Sequence, residues 1–205
     1  MGTAKYCDIA DDLIHGKNFR CASFVRIEND VVVGDNVVVE SFVVLKSGAR
    51  IGNNVILEEH ATVLSGSVIG AGTRIGTYTK VGNKAVIGEN CKFTAFCEVR
   101  DNCKLGNNVS MGSRGTLSAG TVVENDVVMK YAFVVTDTPV VGQEQIKSVG
   151  ILKKGSRYGA NVTIMPGVTV GENSEIGACS QVRHDVPDNE VWYGNPAGFF
   201  KKLES

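Results

Sequence analysis

The feature that most constrains this chain is a hydrophobic residue at every sixth position, without exception, from Ile27 to Val135. An α-helix repeats every 3.6 residues and a regular strand every two, so neither has this period. A second, mostly small residue follows each position by four residues, as Val31 and Val37 illustrate. Two inward positions in every six residues predict short strands separated by turns. The hydrophobic positions are Ile27, Val33, Val39, Leu45, Ile51, Leu57, Val63, Ile69, Ile75, Val81, Ile87, Phe93, Val99, Leu105, Met111, Leu117, Val123, Met129 and Val135.

A longer period appears at the third residue after each hydrophobic position. Every third member of this column shares a chemical character: one set is rich in Asn and Gly, and another is largely aromatic. Asn and Gly tolerate the left-handed backbone that a tight corner requires. Three six-residue units therefore make one coil, and stacked coils predict an all-β, three-sided parallel β-helix. The first set is Asn36, Asn54, Gly72, Asn90, Asn108 and Asp126, and the second begins Phe42, His60, Tyr78 and Phe96.

The repeat also sets the predicted boundaries. Residues 1–20 do not follow it and are expected to form an N-terminal cap, while residues 21–205 form the β-helix domain, of about eight coils. The phase breaks at Thr136, so residues 136–151 are predicted to be a loop extruded from the prism. The C-terminal tail is residues 186–205, in which Pro196 to Leu203 is expected to form a short helix begun by its proline.

Composition narrows the range of partners. The net charge is −1 and no long basic or acidic run occurs, so we expect neither a nucleic acid nor a membrane surface as partner. No apolar run approaches the roughly 18 residues that span a bilayer. Six cysteines are too few for a disulfide scaffold of this length, and no secretory peptide opens the chain. The default expectation is a cytoplasmic protein that binds a small molecule or another protein.

Two C-terminal segments carry a family resemblance. Residues 159–171 read GANVTIMPGVTVG, and Val186-Pro187 is followed by the ending Tyr193-Gly194-Asn195-Pro196-Ala197. This combination resembles the C-terminal part of the hexapeptide-repeat acyltransferases, specifically sugar-modifying N- and O-acetyltransferases. The resemblance implies a left-handed coil and a homotrimer with acetyl-coenzyme A in the clefts between subunits. No metal is expected.

The resemblance also implies where the coenzyme lies. In the family it runs along the C-terminal coils, with small residues beside the pantetheine and basic residues near the phosphates. A corner or a close contact between coils explains each glycine equally well. The matching positions are Gly159, Ala160, Gly177, Ala178 and Ala197 for the pantetheine, and Arg183 with Lys201 or Lys202 for the phosphates.

A third match concerns the acceptor. The hexad Leu105–Ser110, ahead of the extruded loop, resembles an N-N-V-S hexad of enzymes that acetylate nucleotide-linked 3-amino sugars, where an asparagine lies by the acceptor amine. Asn107 and Asn108 are therefore candidate catalytic residues, although Asn108 also belongs to the corner column. The implied activity is that of an acetyl-coenzyme A-dependent N-acetyltransferase acting on a nucleotide-linked amino sugar.

Acetyl transfer benefits from a base that removes the acceptor proton, and histidine is the commonest choice. The chain has only His15, His60 and His184. O-acetyltransferases of this superfamily carry a catalytic histidine in or near the extruded loop, and residues 136–151 contain none, which favours an amine acceptor. His60 is the best candidate base. It also belongs to the aromatic set, which could pack against another subunit or stack a nucleotide base.

Other readings of the sequence are weaker or stay open. Cys91, Cys97 and Cys103 occupy equivalent inward positions, where core packing explains them better than a metal site. The three widely separated histidines do not resemble the zinc ligands of carbonic anhydrases built on the same helix. An O-acetyltransferase of a sugar or antibiotic hydroxyl, and a non-catalytic β-helix scaffold, stay open as alternative functions.

Overall fold

A computed structural model of the chain describes residues 6–143, 145 and 147–204. Each coil contributes one two-residue strand to each of three parallel sheets. Sheet A contains β1 (Asp8–Ile9), β4 (Arg26–Ile27), β7 (Val44–Leu45), β10 (Thr62–Val63), β13 (Lys80–Val81), β16 (Glu98–Val99), β19 (Thr116–Leu117), β22 (Val134–Val135), β25 (Thr163–Ile164) and β28 (Gln181–Val182). Sheet B contains β2 (Ile14–His15), β5 (Val32–Val33), β8 (Arg50–Ile51), β11 (Val68–Ile69), β14 (Val86–Ile87), β17 (Lys104–Leu105), β20 (Val122–Val123), β23 (Ile151–Leu152) and β26 (Thr169–Val170). Sheet C contains β3 (Arg20–Cys21), β6 (Val38–Val39), β9 (Ile56–Leu57), β12 (Arg74–Ile75), β15 (Lys92–Phe93), β18 (Ser110–Met111), β21 (Val128–Met129), β24 (Arg157–Tyr158), β27 (Glu175–Ile176), β29 (Glu190–Gly194) and β30 (Ala197–Lys202).

The strand register confirms the predicted coil length. Val33 pairs with Ile51, eighteen residues later, and Val63 pairs with Val81 in the same way. The second residue of each strand from β4 to β28 points inward, and from Ile27 to Val135 all of these hydrophobic positions are buried. The coil is left-handed, so the fold is the predicted all-β left-handed parallel β-helix. No helix in the described part of the chain could cross a membrane.

The third residue after each hydrophobic position, whose residue type recurs every eighteen residues, lies at a corner of the prism. Every corner from Asn18 to Ala132 turns through a residue in the left-handed backbone region, with φ of 56° at Asn36, 60° at His60 and 54° at Lys84. Asn tolerates this region better than most residues, and on the corner between sheets B and C its side chain also links the coils. The Asn36 amide there donates a hydrogen bond to Asn54 Oδ1 at 3.1 Å. The asparagines on this corner therefore hold successive coils in register.

Some polar side chains also connect coils. The Thr73 hydroxyl, in the core, donates to the Gly88 carbonyl at 2.9 Å and accepts the Cys91 N–H at 3.0 Å. On the outer surface, Glu58 accepts hydrogen bonds from the Arg74 side chain and from the Thr77 N–H and hydroxyl. Burial alone would raise the pKa of Glu58, but these hydrogen bonds outweigh it and hold the pKa below its ordinary 4.5.

The predicted N-terminal cap over residues 1–20 is wrong for the part that the structure describes. Strands β1 and β2, and Arg20 of β3, form the first coil in register with the second, as the pairing of Ile9 with Ile27 demonstrates. The repeat is not visible in the sequence of this coil, because an end coil is half open to solvent and needs fewer apolar residues. His15, for example, occupies one of its hydrophobic positions. The helix accordingly has nine to ten coils instead of about eight.

The predicted C-terminal helix is also wrong. Residues 197–202 form strand β30, which pairs antiparallel with β29 to make a hairpin at the end of sheet C. Strand β29 continues the sheet because Ile176 of β27 pairs with Trp192. The order Phe199-Phe200-Lys201-Lys202 has no period that distinguishes a helix from a strand, and the free edge of sheet C selects the strand.

Candidate functional site

The three features predicted on the acceptor side lie at three different corners of the prism. The segment 136–150, between β22 and β23, leaves the corner between sheets A and B. Asn107 and Asn108 lie between β17 and β18, on the corner between sheets B and C. His60 lies between β9 and β10, on the corner between sheets C and A. A single chain therefore does not bring them together.

The loop at residues 136–150 has a closed neck. Lys147 Nζ lies 3.2 Å from a carboxylate oxygen of Asp137, whose side chain is largely buried, and 2.8 Å from the Thr138 hydroxyl. The Ser148 N–H donates to the Asp137 carbonyl at 2.8 Å. Beyond the neck, the side chain of Val141 is almost wholly exposed. The loop therefore leaves the prism from a fixed base and exposes Val141 to solvent.

Both candidate asparagines take part in contacts between coils. Asn107 Oδ1 accepts the Glu89 N–H at 2.8 Å, and the Asn107 N–H donates to Asn125 Oδ1 at 2.8 Å. Asn108 has φ of 59° and its amide donates to Asp126 Oδ1 at 2.9 Å. Both side chains are thus held by the corner ladder, and their catalytic role stays a prediction.

The aromatic set forms a continuous face-to-face stack on the corner between sheets C and A. Neighbouring ring centroids are 4.4 to 5.3 Å apart and the rings are inclined by only 2° to 13°. A planar group inserted between two rings would need about 7 Å, twice a van der Waals contact distance. The stack therefore does not take a nucleotide base between its rings. Its members are Tyr6, Phe24, Phe42, His60, Tyr78 and Phe96.

His60 is an integral member of this stack. Its ring lies 4.7 Å from that of Phe42 and 4.4 Å from that of Tyr78. Asn161, in the coil of the predicted coenzyme residues, lies on the same corner five rungs further along the axis. At about 4.8 Å per rung the separation is roughly 24 Å. Within one chain, His60 is far from the predicted acetyl donor.

Four of the predicted coenzyme residues do come together. Gly159, Ala160, Gly177 and Ala178 lie on successive rungs of the corner between sheets C and A, and we call this set the donor corner. A Cβ on Gly159 would lie 2.5 Å from the Ala178 nitrogen, so close packing of the coils itself requires glycine there. Neither the Ala160 nor the Ala178 N–H makes a hydrogen bond with any described residue. The donor corner thus offers two open donors without bulky side chains.

The terminal hairpin places the remaining predicted coenzyme residues. Ala197, buried, pairs with Gly194 at the turn of the hairpin, while Lys201 and Lys202 are exposed along β30. Arg183 follows β28 on the other side of sheet A, and its Nε donates to Gln181 Oε1 at 2.6 Å. The lysines lie on the hairpin that extends sheet C, whereas Arg183 turns away to the corner between sheets A and B.

The inward cysteines are core residues. Cys91, Cys97 and Cys103 are buried, and each thiol contacts a backbone carbonyl of the next coil at 3.1 to 3.3 Å. Burial raises the pKa of Cys103 to about 11 and also raises the pKa values of Cys91 and Cys97. Among residues 6–143, 145 and 147–204, no cluster of His, Cys, Asp or Glu is arranged to bind a metal ion.

Sequence reasoning missed a groove on the outer face of sheet A. It has a volume of about 440 Å³ and lies beside the corner that carries the loop. Apart from Gly82, its residues occupy outward positions, which packing does not constrain, so they follow no period. The one local signal is Gly82, which stands between Leu64 and Arg100 in the row of residues along that corner. The lining residues are Leu64, Lys80, Gly82, Asn83, Glu98, Arg100, Asp101, Thr116 and Ala119.

Known proteins share this architecture. A family model described as the GMPPB C-terminal domain matches residues 15–99. The crystal structure of the Arabidopsis UDP-N-acetylglucosamine acyltransferase superposes with a TM-score of 0.73 at 16% identity, covering 97% of this chain and 73% of that one. At this identity the likeness establishes the fold alone, a left-handed β-helix built from hexapeptide repeats.

Two relatives share local sequence. The dTDP-3-amino-3,6-dideoxy-α-D-galactopyranose 3-N-acetyltransferase of Aneurinibacillus thermoaerophilus is 49% identical over 47 residues, 23% of this chain and 24% of the relative. The galactoside O-acetyltransferase of Lactococcus lactis is 38% identical over 68 residues, 27% and 33% of the two chains. The matches span a third or less of these relatives. In its repeat, its fold and these local matches, the chain is similar to hexapeptide-repeat acetyltransferases.

Proposed function

We propose that this protein is an acetyl-coenzyme A-dependent N-acetyltransferase that acts on the amino group of a nucleotide-linked amino sugar. The observation that carries the proposal is the donor corner, where two open backbone N–H groups lie on adjacent rungs without bulky side chains. The local likeness to the 3-N-acetyltransferase supports an amine on a nucleotide sugar as the acceptor.

The donor corner suits a long amide-containing chain. The coenzyme supplies an acetyl thioester and a pantetheine arm whose carbonyls accept hydrogen bonds. The Ala160 and Ala178 N–H groups lie one rung apart, about 4.8 Å along the axis, and could hold two points of an extended arm. Lys201 and Lys202 pair with Val191 and Glu190 at the end of the hairpin away from the donor corner, so their positive charge would stabilise phosphates at the far end of a coenzyme extended across sheet C.

Acetyl transfer then depends on placing the acceptor. An unprotonated amine attacks the thioester carbonyl, and the transition state gains from a fixed geometry and from an N–H aimed at the developing oxyanion. An amine is nucleophilic without a strong base once it has lost its proton. A loop without histidine at residues 136–151 is therefore compatible with an amine acceptor.

The test is thiol release from acetyl-coenzyme A with a panel of amino-sugar nucleotides and their hydroxyl parents. We expect turnover with at least one amine and none with its hydroxyl parent. Ala178→Leu, which fills the donor corner, should weaken coenzyme A binding at least tenfold in calorimetry. Ala95→Leu, at the equivalent place lower on the same corner, should not. Coenzyme binding without turnover on any amine contradicts the proposal.

A second candidate is acetylation of a sugar hydroxyl, favoured by the likeness to the galactoside O-acetyltransferase. Comparing kcat/KM for galactosides with that for amino-sugar nucleotides separates the two activities. A non-catalytic scaffold would show no coenzyme A binding at all. For either enzyme we expect a homotrimer. The aromatic stack is partly exposed, and Phe96 is more than half exposed. This exposed aromatic surface supports a contact between subunits at the stack.

A further inference from the structure

The groove on sheet A lies between the two corners that the proposed function uses. Sheet A is bounded on one side by the donor corner and on the other by the corner that carries the loop. Thr116 of β19 lines the groove and Thr163 of β25 follows the donor corner. These two strands are two rungs apart, about 10 Å along the axis. A ligand in the groove could thus reach toward the thioester.

The loop lies against the upper end of the groove. Strand β19 pairs with β22, whose last residue Val135 leads directly into the loop. Gly120 follows the groove residue Ala119 in sequence. A Cβ on Gly120 would lie 3.3 Å from the side chain of Val149, near the end of the loop. The loop therefore returns to the prism beside the groove.

The groove carries both signs of charge. Lys80 Nζ lies 3.3 Å from Glu98 Oε1, an exposed pair that a ligand can exchange at little cost. Asp101 is fixed, since its carboxylate accepts the Asn83 N–H at 2.7 Å. Arg100 is exposed, and its guanidinium makes no hydrogen bond or ion pair with the residues that the structure describes. Arginine binds phosphate through two parallel N–H groups.

The close packing of two coils at Gly82 fixes the backbone that carries this arginine. A Cβ at Gly82 would lie 2.5 Å from the Arg100 carbonyl carbon and 2.6 Å from Asp101 Oδ1, so glycine is obligatory at this close approach of two coils. Arg100, Lys80 and Glu98 line one recess on the outer face of sheet A. Its volume of about 440 Å³ is in the range of small-molecule sites.

We infer that this groove is the acceptor site, with Arg100 and Lys80 holding the diphosphate and the sugar extending along sheet A past Thr116 toward the donor corner. The assignment rests on the proposed function, because an amino-sugar nucleotide carries the diphosphate that these two basic side chains would bind. Arg100 and Lys80 are thus acceptor-binding residues.

The experiment is calorimetric titration of the protein of residues 1–205 with uridine and thymidine diphosphate, in the presence of saturating coenzyme A so that the donor's own phosphate site is filled. We expect at least one of the two to bind. Arg100→Gln should weaken binding about tenfold, Arg100→Lys less, and Thr116→Trp, which fills the groove, should abolish it. Arg20→Gln, an exposed arginine on sheet C, is the matched control and should bind as the parent does.

Each outcome decides between the two proposals. Failure of both diphosphates to bind the parent protein, or equal affinity in Arg100→Gln and Arg20→Gln, overturns the groove assignment. Diphosphate binding that depends on Arg100, without acetyl transfer to any amine, keeps the groove and contradicts the N-acetyltransferase. Acetyl transfer with an unchanged acceptor KM in Arg100→Gln keeps the enzyme and contradicts the groove. Thermal unfolding of each variant confirms that it is folded.

Discussion

Replacing His60 separates its two possible roles, as a base and as a member of the aromatic stack. His60→Phe keeps a ring in the stack and removes the imidazole nitrogens. His60→Ala removes the ring. Because His60 turns a corner with φ of 60°, the alanine variant also changes the backbone preference. Lys84→Ala controls for this, since Lys84 turns another corner with φ of 54° and does not belong to the stack.

The geometry sets the size of the effect. His60 stacks on Phe42 and Tyr78 at 4.7 and 4.4 Å, and aromatic pairs contribute about 0.5 to 1.5 kcal/mol each. The rings are half exposed, so we take the lower part of that range, about 1 to 2 kcal/mol for the two contacts together. For a protein of this size, 1 kcal/mol lowers Tm by about 2 to 4 °C. His60→Ala should therefore lower Tm by roughly 2 to 8 °C more than Lys84→Ala.

Circular dichroism melts and thiol-release kinetics on the same samples are the assays. His60→Phe should melt within about 2 °C of the parent protein and keep its turnover within about threefold, because His60 is far from the donor corner of its own chain. A general base contributes about 10² to 10⁴-fold. A loss of that size in His60→Phe, with an unchanged Tm, would refute this reasoning and identify His60 as the base, serving another subunit's donor. Equal Tm values for His60→Ala and Lys84→Ala would refute the stacking argument.

Three further predictions concern the solenoid itself. Thr73→Val removes two hydrogen bonds within the core and should destabilise the protein by about 1 to 3 kcal/mol in urea denaturation. Thr62→Val, on the outer face, should change the free energy of unfolding by less than about 0.5 kcal/mol. Equal effects of the two substitutions would contradict the role of the buried hydroxyl. Because the pKa of Glu58 is lowered in the folded state, its stabilisation is present above about pH 4.5 and is lost as the pH falls through the folded-state pKa. The stability difference between the parent and Glu58→Gln, less than about 1 kcal/mol at pH 7, should vanish in acid melts, and a constant difference would refute this assignment. Iodoacetamide at pH 8 should label the exposed Cys179 within minutes and the buried Cys103 only after unfolding, as peptide mass spectrometry can determine; early labelling of Cys103 would contradict its burial.

The inward pattern was predictable because it is local. Each hydrophobic position from Ile27 onward must fill the same interior, so the same residue type recurs at each. The prediction failed at the two ends, where the interior is only partly enclosed. At the first coil Ile14 is well exposed and His15 occupies a hydrophobic position. At the last, Phe199 and its neighbours pair with a sheet edge that their own sequence does not reveal.

The candidate site was less predictable than the fold. The donor corner was found through its resemblance to a family, and the coil register then explains why Gly159 is obligatory. The groove around Arg100 was missed, since outward side chains are free to vary and carry no periodic signal. The asparagines of the acceptor hexad were singled out by resemblance, and Asn107 proved to be bound into the contacts between coils.

The sequence by itself determined the coil length, the chemistry of the corners and the position of the break at Thr136, because each depends on residues repeated at a constant interval. The tertiary structure decided which features share a corner and which do not. It places His60, Asn107 and the loop on three different corners and stacks the aromatic rings face to face. It also forms a groove lined by Gly82 and by charged side chains. The physical reason is that side chains on the outside of a solenoid meet only through the stacking of coils, which fixes neighbours eighteen residues apart in the chain.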